Sequence, residues 1–195
     1  EASTLIGLMW LASPALPVGA FAYSEGLESA VDAGLVRDED GAAKWLVDQL
    51  WLAGARSEMP AAAHATQGWR EQQADDVRAV NTWVLCTREC GEQRAQCLQM
   101  GRSMHDWMRN GPFGNDARLA WLPSSELTWP VAFALAAVLH GLNDRDSLLA
   151  LGFGWAENMT QAAIKAVPLG QAAAQRVLAR LAHELPTAVD HALQV

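Results

Sequence analysis

Residues 77–108 read VRAVNTWVLCTRECGEQRAQCLQMGRSMHDWM, the longest stretch of the chain with apolar residues at helical spacing. Asp75-Asp76 precede it, and Gly91 and Gly101 lie inside it, marking either a split into two helices or a point of close packing. Taken as one continuous helix, it sets Cys86, Cys90, Cys97, Met100, Met104 and Met108 within about 40° of a single line. Thiolates and thioethers are soft ligands, so such a stripe could be a metal track. Free Cys and Met are also among the side chains most often buried, and a sulfur stripe at helical spacing is more simply core.

The same periodicity continues on both sides. Leu5 to Leu11 suggests a short first helix leading into a Pro/Gly loop, and Tyr23 to Ala33 a second helix ended by Gly34. Asp38-Glu39-Asp40 suit the positive end of a third helix reaching about Arg56, with Trp45, Leu46, Leu50, Ala53 and Gly54 on its core face. Pro60 fits a first helical position and opens a helix towards Gln72. Asn110-Gly111-Pro112 is a loop extending to Gly114-Asn115. Ser124-Ser125 offer a cap for Glu126 to Leu142, with Pro130 setting the true start. Asn143-Asp144 cap a helix through Ala166, Pro168 interrupts the pattern, and Gln171 to Leu193 form the last amphipathic stretch. There is no internal repeat and no dividing linker, so residues 1–195 are expected to form one all-α domain, a bundle of roughly 8–10 helices.

Composition narrows the function classes. The 195 residues are 51% hydrophobic and 18% charged, too apolar for intrinsic disorder. A net charge of −8 disfavours sequence-blind nucleic-acid binding, which depends on Lys and Arg. Three cysteines are an odd number in a chain large enough to hold a core, which fits a reducing, cytoplasmic compartment. The uncharged segment Ala2–Ser24 contains a small-x-small triplet, Ala20-Phe21-Ala22, but its flank carries Glu1 and no Lys or Arg, against a secretory signal. Pro14 and Pro17 cut that segment short of a membrane span, and Leu127–Asn143 is also too short. No membrane partner is expected.

Enzyme signatures are missing. The chain has no phosphate loop ending in Lys-Ser/Thr, no dinucleotide fingerprint and no Gly-x-Ser-x-Gly elbow. His64, His105, His140, His183 and His191 are scattered, and no Glu-x-x-His pair suggests a di-metal bundle. No tightly bound cofactor is expected. Two segments stand out from ordinary core. LPVGAFAYSEGLE, residues 16–28, turns through Pro-x-Gly into a helix start crowded by Ser24, Glu25 and Glu28. WAENMTQAAIKAVPLGQ, residues 155–171, is a helix whose only cation, Lys165, precedes a Pro-Leu-Gly break.

These segments together resemble the UreF family of urease accessory proteins. Leu11-Ala12-Ser13, Leu16-Pro17-Val18-Gly19, Tyr23-Ser24 and Gly26-Leu27-Glu28 supply its leading signature in order. Arg88-Glu89, Gln99-Met100-Gly101-Arg102-Ser103 and the Pro130–Ala137 helix match its middle. Trp155, Glu157-Asn158, Lys165 and Val167 to Gln171 match its end. Ala20 and Ala22 depart from the more usual Gly and Ser, and the chain stops at Val195 where members continue into a polar tail.

The resemblance implies an all-α, dimerising, non-catalytic factor that sits between a UreD-type (also called UreH) protein and the GTPase UreG. That complex inserts nickel into apo-urease, so nickel is handled by the assembly. Glu28 and Lys165 are then the charged positions expected to face a partner, with Tyr23, Ser24 and Gln171 secondary. Pro17, Gly19, Pro168 and Gly170 are expected to shape the backbone. A rival mechanism within the family would insert Arg88 or Arg102 into the GTPase as an arginine finger.

Overall fold

Residues 77–108 form two helices rather than one in the computed structural model, which describes residues 2–20 and 23–195. In chain order the helices are α1 (Ala2–Leu11), α2 (Leu27–Asp32), α3 (Glu39–Gln49), α4 (Met59–Arg70), α5 (Ala74–Thr87), α6 (Gly91–Asn110), α7 (Trp129–Leu139), α8 (Asp144–Ala166) and α9 (Gln171–Ala192). A π-helical segment, Leu50–Glu58, joins α3 to α4, and a 3₁₀ turn covers Ala117–Ala120. The fold is all-α, and no described residue lies in a strand. Among the described residues, no helix is long and apolar enough to cross a membrane.

The break between α5 and α6 overturns the continuous sulfur stripe. Arg88 leaves the helical region at ψ 117°, and Cys90 is extended at φ −131°, ψ 161°. Cys86 and Cys90 are consequently exposed, whereas Cys97, Met100, Met104 and Met108 turn inward. The inward four are core side chains, as their chemistry favours. Among the described residues, no three His, Cys, Asp or Glu side chains gather as a metal ion would require.

Pro60 does not open a separate helix. It sits in the first turn of α4, continuous with α3 through the π-helical turns. Proline lacks an amide hydrogen and its ring crowds the carbonyl four residues back, so wider turns ahead of it relieve the conflict. The Met59 amide donates to the Gly54 carbonyl, five residues back. The wider turns also rotate the core face. Leu46 and Leu50 are buried as the spacing predicts, but Ala53 points to solvent, and Ala55 and Met59 take over the inner side.

At the centre lies α7, whose residues Val131 to Ala137 are all buried, packed between α4 and α6. The packing with α6 depends on Gly101, where an added Cβ would stand 2.0 Å from the Leu127 carbonyl oxygen. Asn81 ties α5 to the same region. Its side chain donates to the Glu126 carbonyl at 2.9 Å and accepts from the Thr128 amide (2.9 Å) and hydroxyl (2.8 Å). On the other side α9 packs along α8, α3 and the π-helical segment. Asn143 caps α8 by accepting from the Asp146 amide at 2.8 Å, the start its sequence predicts.

Candidate partner-binding site

Residues 12–20 and 23–28, between the end of α1 and the first turn of α2, form a strap laid over α6 and α8. Its turns are local: the Leu16 amide donates to the Ser13 carbonyl at 3.0 Å, and the Val18 amide to the Leu16 carbonyl at 2.8 Å. This alternation sends Leu16 and Val18 into the core and leaves Pro17 outside. Gly19 has φ +76°, the left-handed region that glycine enters without penalty.

Three long-range contacts pin the strap. Asn158 Nδ2 on α8 donates to the Ala20 carbonyl at 2.9 Å. Trp155 Nε1, one turn earlier on α8, donates to Glu25 Oε2 at 2.8 Å. Tyr23 Oη donates to Gln99 Oε1 on α6 at 3.3 Å, and Gln99 Nε2 donates in turn to Ser103 Oγ at 3.1 Å. The sequence expectation of a helix from Tyr23 fails here. Glu25 (φ +48°) and Gly26 (φ +87°) are both left-handed, so α2 starts only at Leu27 and ends at Asp32. Gly34, at φ +71°, supplies the expected stop. Phe21 and Ala22, and with them part of the small-x-small triplet, lie outside the described residues.

Of the candidate partner residues, Tyr23 and Ser24 are half-buried in the strap and Glu28 is exposed in the first turn of α2. Lys165 is exposed in the last turn of α8, and Gln171, exposed, is the first residue of α9. Among the described residues no ion pair joins Glu28 to Lys165. Pro168 is exposed and follows an extended Val167 (φ −111°, ψ 137°), the conformation a residue before proline adopts. Gly170 has φ −76° and open space around it, so its backbone would accept a side chain, and glycine's freedom is not what the position uses.

A second polar cluster lies beneath the strap. Arg88 forms an ion pair with Glu58 and points Nη2 at Cys97 Sγ, 3.8 Å away. The Arg88 side chain is only 13% exposed. A finger must project into another protein, so Arg88 is corrected from a finger candidate to an internal brace. Arg102 remains exposed on α6. Burial pushes the Glu58 carboxyl up against the pull of Arg88, and its Oε2 is sealed from water with no hydrogen-bond donor among the described residues. Burial also pushes the Cys97 thiol up, helped by Glu58, so it stays protonated and is a poor nucleophile or ligand.

Beside the strap, α1 turns Leu5, Ile6 and Met9 to solvent at 59%, 62% and 63% exposure. Trp10 sits edge-on to Trp107 of α6 with ring centres 5.3 Å apart, and both line an open groove with Pro17, Pro112 and Asp106. Sequence reasoning missed Glu25, Gln99, Trp155 and Asn158 as strap holders. Gln99, Trp155 and Asn158 had been matched as separate pieces of a signature, without any sign that they meet.

An irregular strap fastened to α6 and α8 beside a helix with exposed Leu5, Ile6 and Met9 is the kind of surface presented by proteins that work by contact. The sequence profile of the UreF family matches residues 36–182. The chain is 56% identical to the urease accessory protein UreF of Paracidovorax citrulli (strain AAC00-1), an alignment covering 100% of this chain and 78% of the relative. The corresponding UreF of Methylibium petroleiphilum is 55% identical, with 98% and 82% covered. That of Polaromonas sp. (strain JS666 / ATCC BAA-500) is 52% identical, with 100% and 83% covered. The chain belongs to the UreF family of urease accessory proteins, non-catalytic chaperones with a role in urease maturation.

Proposed function

We propose that the protein acts in the cytoplasm as a dimeric scaffold between a UreD/UreH-type protein and the GTPase UreG, in the complex that inserts nickel into apo-urease. The observation that carries this is the strap. It is fastened from below by Asn158, Trp155 and Gln99, while Pro17 and Glu28 face outward. A segment held so firmly on one side and free on the other is preorganised to bind, which lowers the ordering cost at the interface. The exposed Leu5, Ile6 and Met9 of α1 extend the same surface with the apolar area that protein interfaces bury.

Glu28 and Lys165 supply exposed charge in the first turn of α2 and the last turn of α8, two helices that pack together. Exposed charges in such places govern partner choice and association rate more than final affinity. Nickel is cargo of the assembly on this account, and none of the candidate residues is assigned to it. The test is co-purification of the chain with the UreD-type and UreG proteins, with and without nickel and guanine nucleotide. A ternary complex supports the scaffold. Capture of neither protein under any of those conditions contradicts it.

A further inference from the structure

Of the five asparagines in the chain, only Asn110 is followed by glycine. In an asparagine the side-chain carbonyl carbon lies within five-membered-ring reach of the next residue's amide nitrogen. A side chain on that next residue obstructs the closure, and glycine has none. Asn110 is exposed as the last residue of α6, and Gly111 leaves the helix at φ −103°, ψ −160°. The Gly111 amide donates to the Met108 carbonyl at 3.3 Å, longer than an ordinary N–H···O bond. Helix ends fray because their last groups lack partners, so the loss of that one bond frees the nitrogen.

The other four asparagines are held or shielded. Asn81 is buried and bonded to Glu126 and Thr128, Asn143 caps α8, and Asn158 holds the Ala20 carbonyl. Asn115 is exposed, but the next amide belongs to Asp116, which carries a side chain and donates to the Phe113 carbonyl at 2.9 Å. Among the described residues no hydrogen bond fixes the Asn110 side chain, so its carboxamide is free to turn towards the Gly111 nitrogen.

We propose that Asn110–Gly111 is a self-modification site, at which the folded chain converts Asn110 to isoaspartate and aspartate with water as the only co-reactant. The Gly111 nitrogen bonds to Asn110 Cγ, the side-chain carbon–nitrogen bond breaks, and ammonia leaves with the Gly111 amide proton. Water then opens the ring. Attack at the backbone carbonyl carbon routes the chain through the side chain as isoaspartate and turns that carbonyl into a free carboxylate. Attack at Cγ leaves ordinary aspartate. Either product puts a negative charge at the C-terminal end of α6, where the helix dipole opposes it, one turn from Asp106. Asp106 and Asn110 line one groove with Trp10, Trp107 and Pro17, so that groove gains a second carboxylate. That the groove meets a partner rests on the function proposed above; the conversion is a property of the isolated chain.

The experiment holds the purified chain for days in warm, mildly alkaline buffer while circular dichroism follows its helices. Samples are digested with pepsin in acid, where ring closure is slow, and mass spectrometry with fragmentation locates each altered asparagine. Isoaspartate is read separately, by transfer of a labelled methyl group from S-adenosylmethionine with a protein isoaspartate methyltransferase. Expected is a gain of about 1 Da at Asn110, with methyl labelling rising alongside it. Conversion at Asn110 is at least about tenfold faster than at Asn115, and Gly111→Ala slows it about tenfold. Asn110→Gln, whose ring would be larger, loses both signals. A folded wild-type chain that keeps its Asn110 amide, or that loses the Asn115 amide as quickly, overturns the proposal. So does undiminished conversion in Gly111→Ala, or conversion seen only after unfolding in urea. Because no partner is present, failure here is distinct from failure of the scaffold, which the co-purification reads.

Discussion

Gly101 and Arg88 show how much single positions govern in this protein. At Gly101 the helices α6 and α7 come together over a backbone carbonyl, leaving no space for a methyl group. Gly101→Ala must push Leu127 away, and overpacking of this kind costs about 1–3 kcal/mol or more. A fall in the urea midpoint with an unchanged slope is the expected signature. Arg88 poses the opposite problem. Arg88→Met leaves the Glu58 carboxylate buried without its partner, and breaking a buried pair costs about 3–5 kcal/mol. Glu58 keeps 31% of its side-chain exposure, so the loss falls at or below the lower end of that range. Glu58→Leu combined with Arg88→Met recovers most of it, because the pair is then replaced by apolar groups. Urea melts of the two single variants and the double variant check this as a cycle.

Among the elements, α1 has the most conditional seat. It rests on His140, whose ring lies 4.8 Å from Phe113 and 6.0 Å from Trp10 between ring centres. Gly7 lets α1 come this close, since a Cβ there would stand 2.7 Å from His140 Nδ1. Gly7→Ala should lift α1 and remove its hydrogen-exchange protection, while α8 and α9 keep theirs. Burial holds the His140 imidazole below its ordinary value of 6.5, and its Nε2 is buried with no partner among the described residues. A histidine lowered in the folded state supplies stability that is complete above its unfolded value and is lost as pH falls through 6.5 and below. The urea midpoint of the wild type should therefore drop between pH 7.5 and 5.5 by more than that of His140→Phe.

The elements also show what the sequence could and could not convey. The span of α8 was readable because an Asn-Asp cap and a following proline mark its ends. The join of α3 to α4 was not, because Pro60 in a first-turn position looks the same whether a new helix begins or an old one widens its turns to admit it. Nor was the truncation of α2, which depends on a bond from Trp155 to Glu25 across 130 residues of sequence. Local periodicity carries no information about such contacts.

Taken as a whole molecule, the signature recognised in pieces is a spatial unit. Gln99, Trp155 and Asn158 lie far apart in sequence and converge on one strap, while Gly101 of the same run seats the central helix. These matched residues fasten the strap, and their order along the chain was visible without their contacts. The residues proposed to face a partner were less legible, since among the described residues Glu28, Lys165 and Gln171 make no side-chain hydrogen bond or ion pair that would single them out from other exposed polar residues. Their assignment rests on a binding partner. The most direct measurement is urease activation in cells carrying Glu28→Lys or Lys165→Glu, with circular dichroism showing that each variant keeps its helices. The account predicts that activation falls and that the purified variant loses its hold on the UreG-containing complex. Full activation with both charges reversed would contradict it.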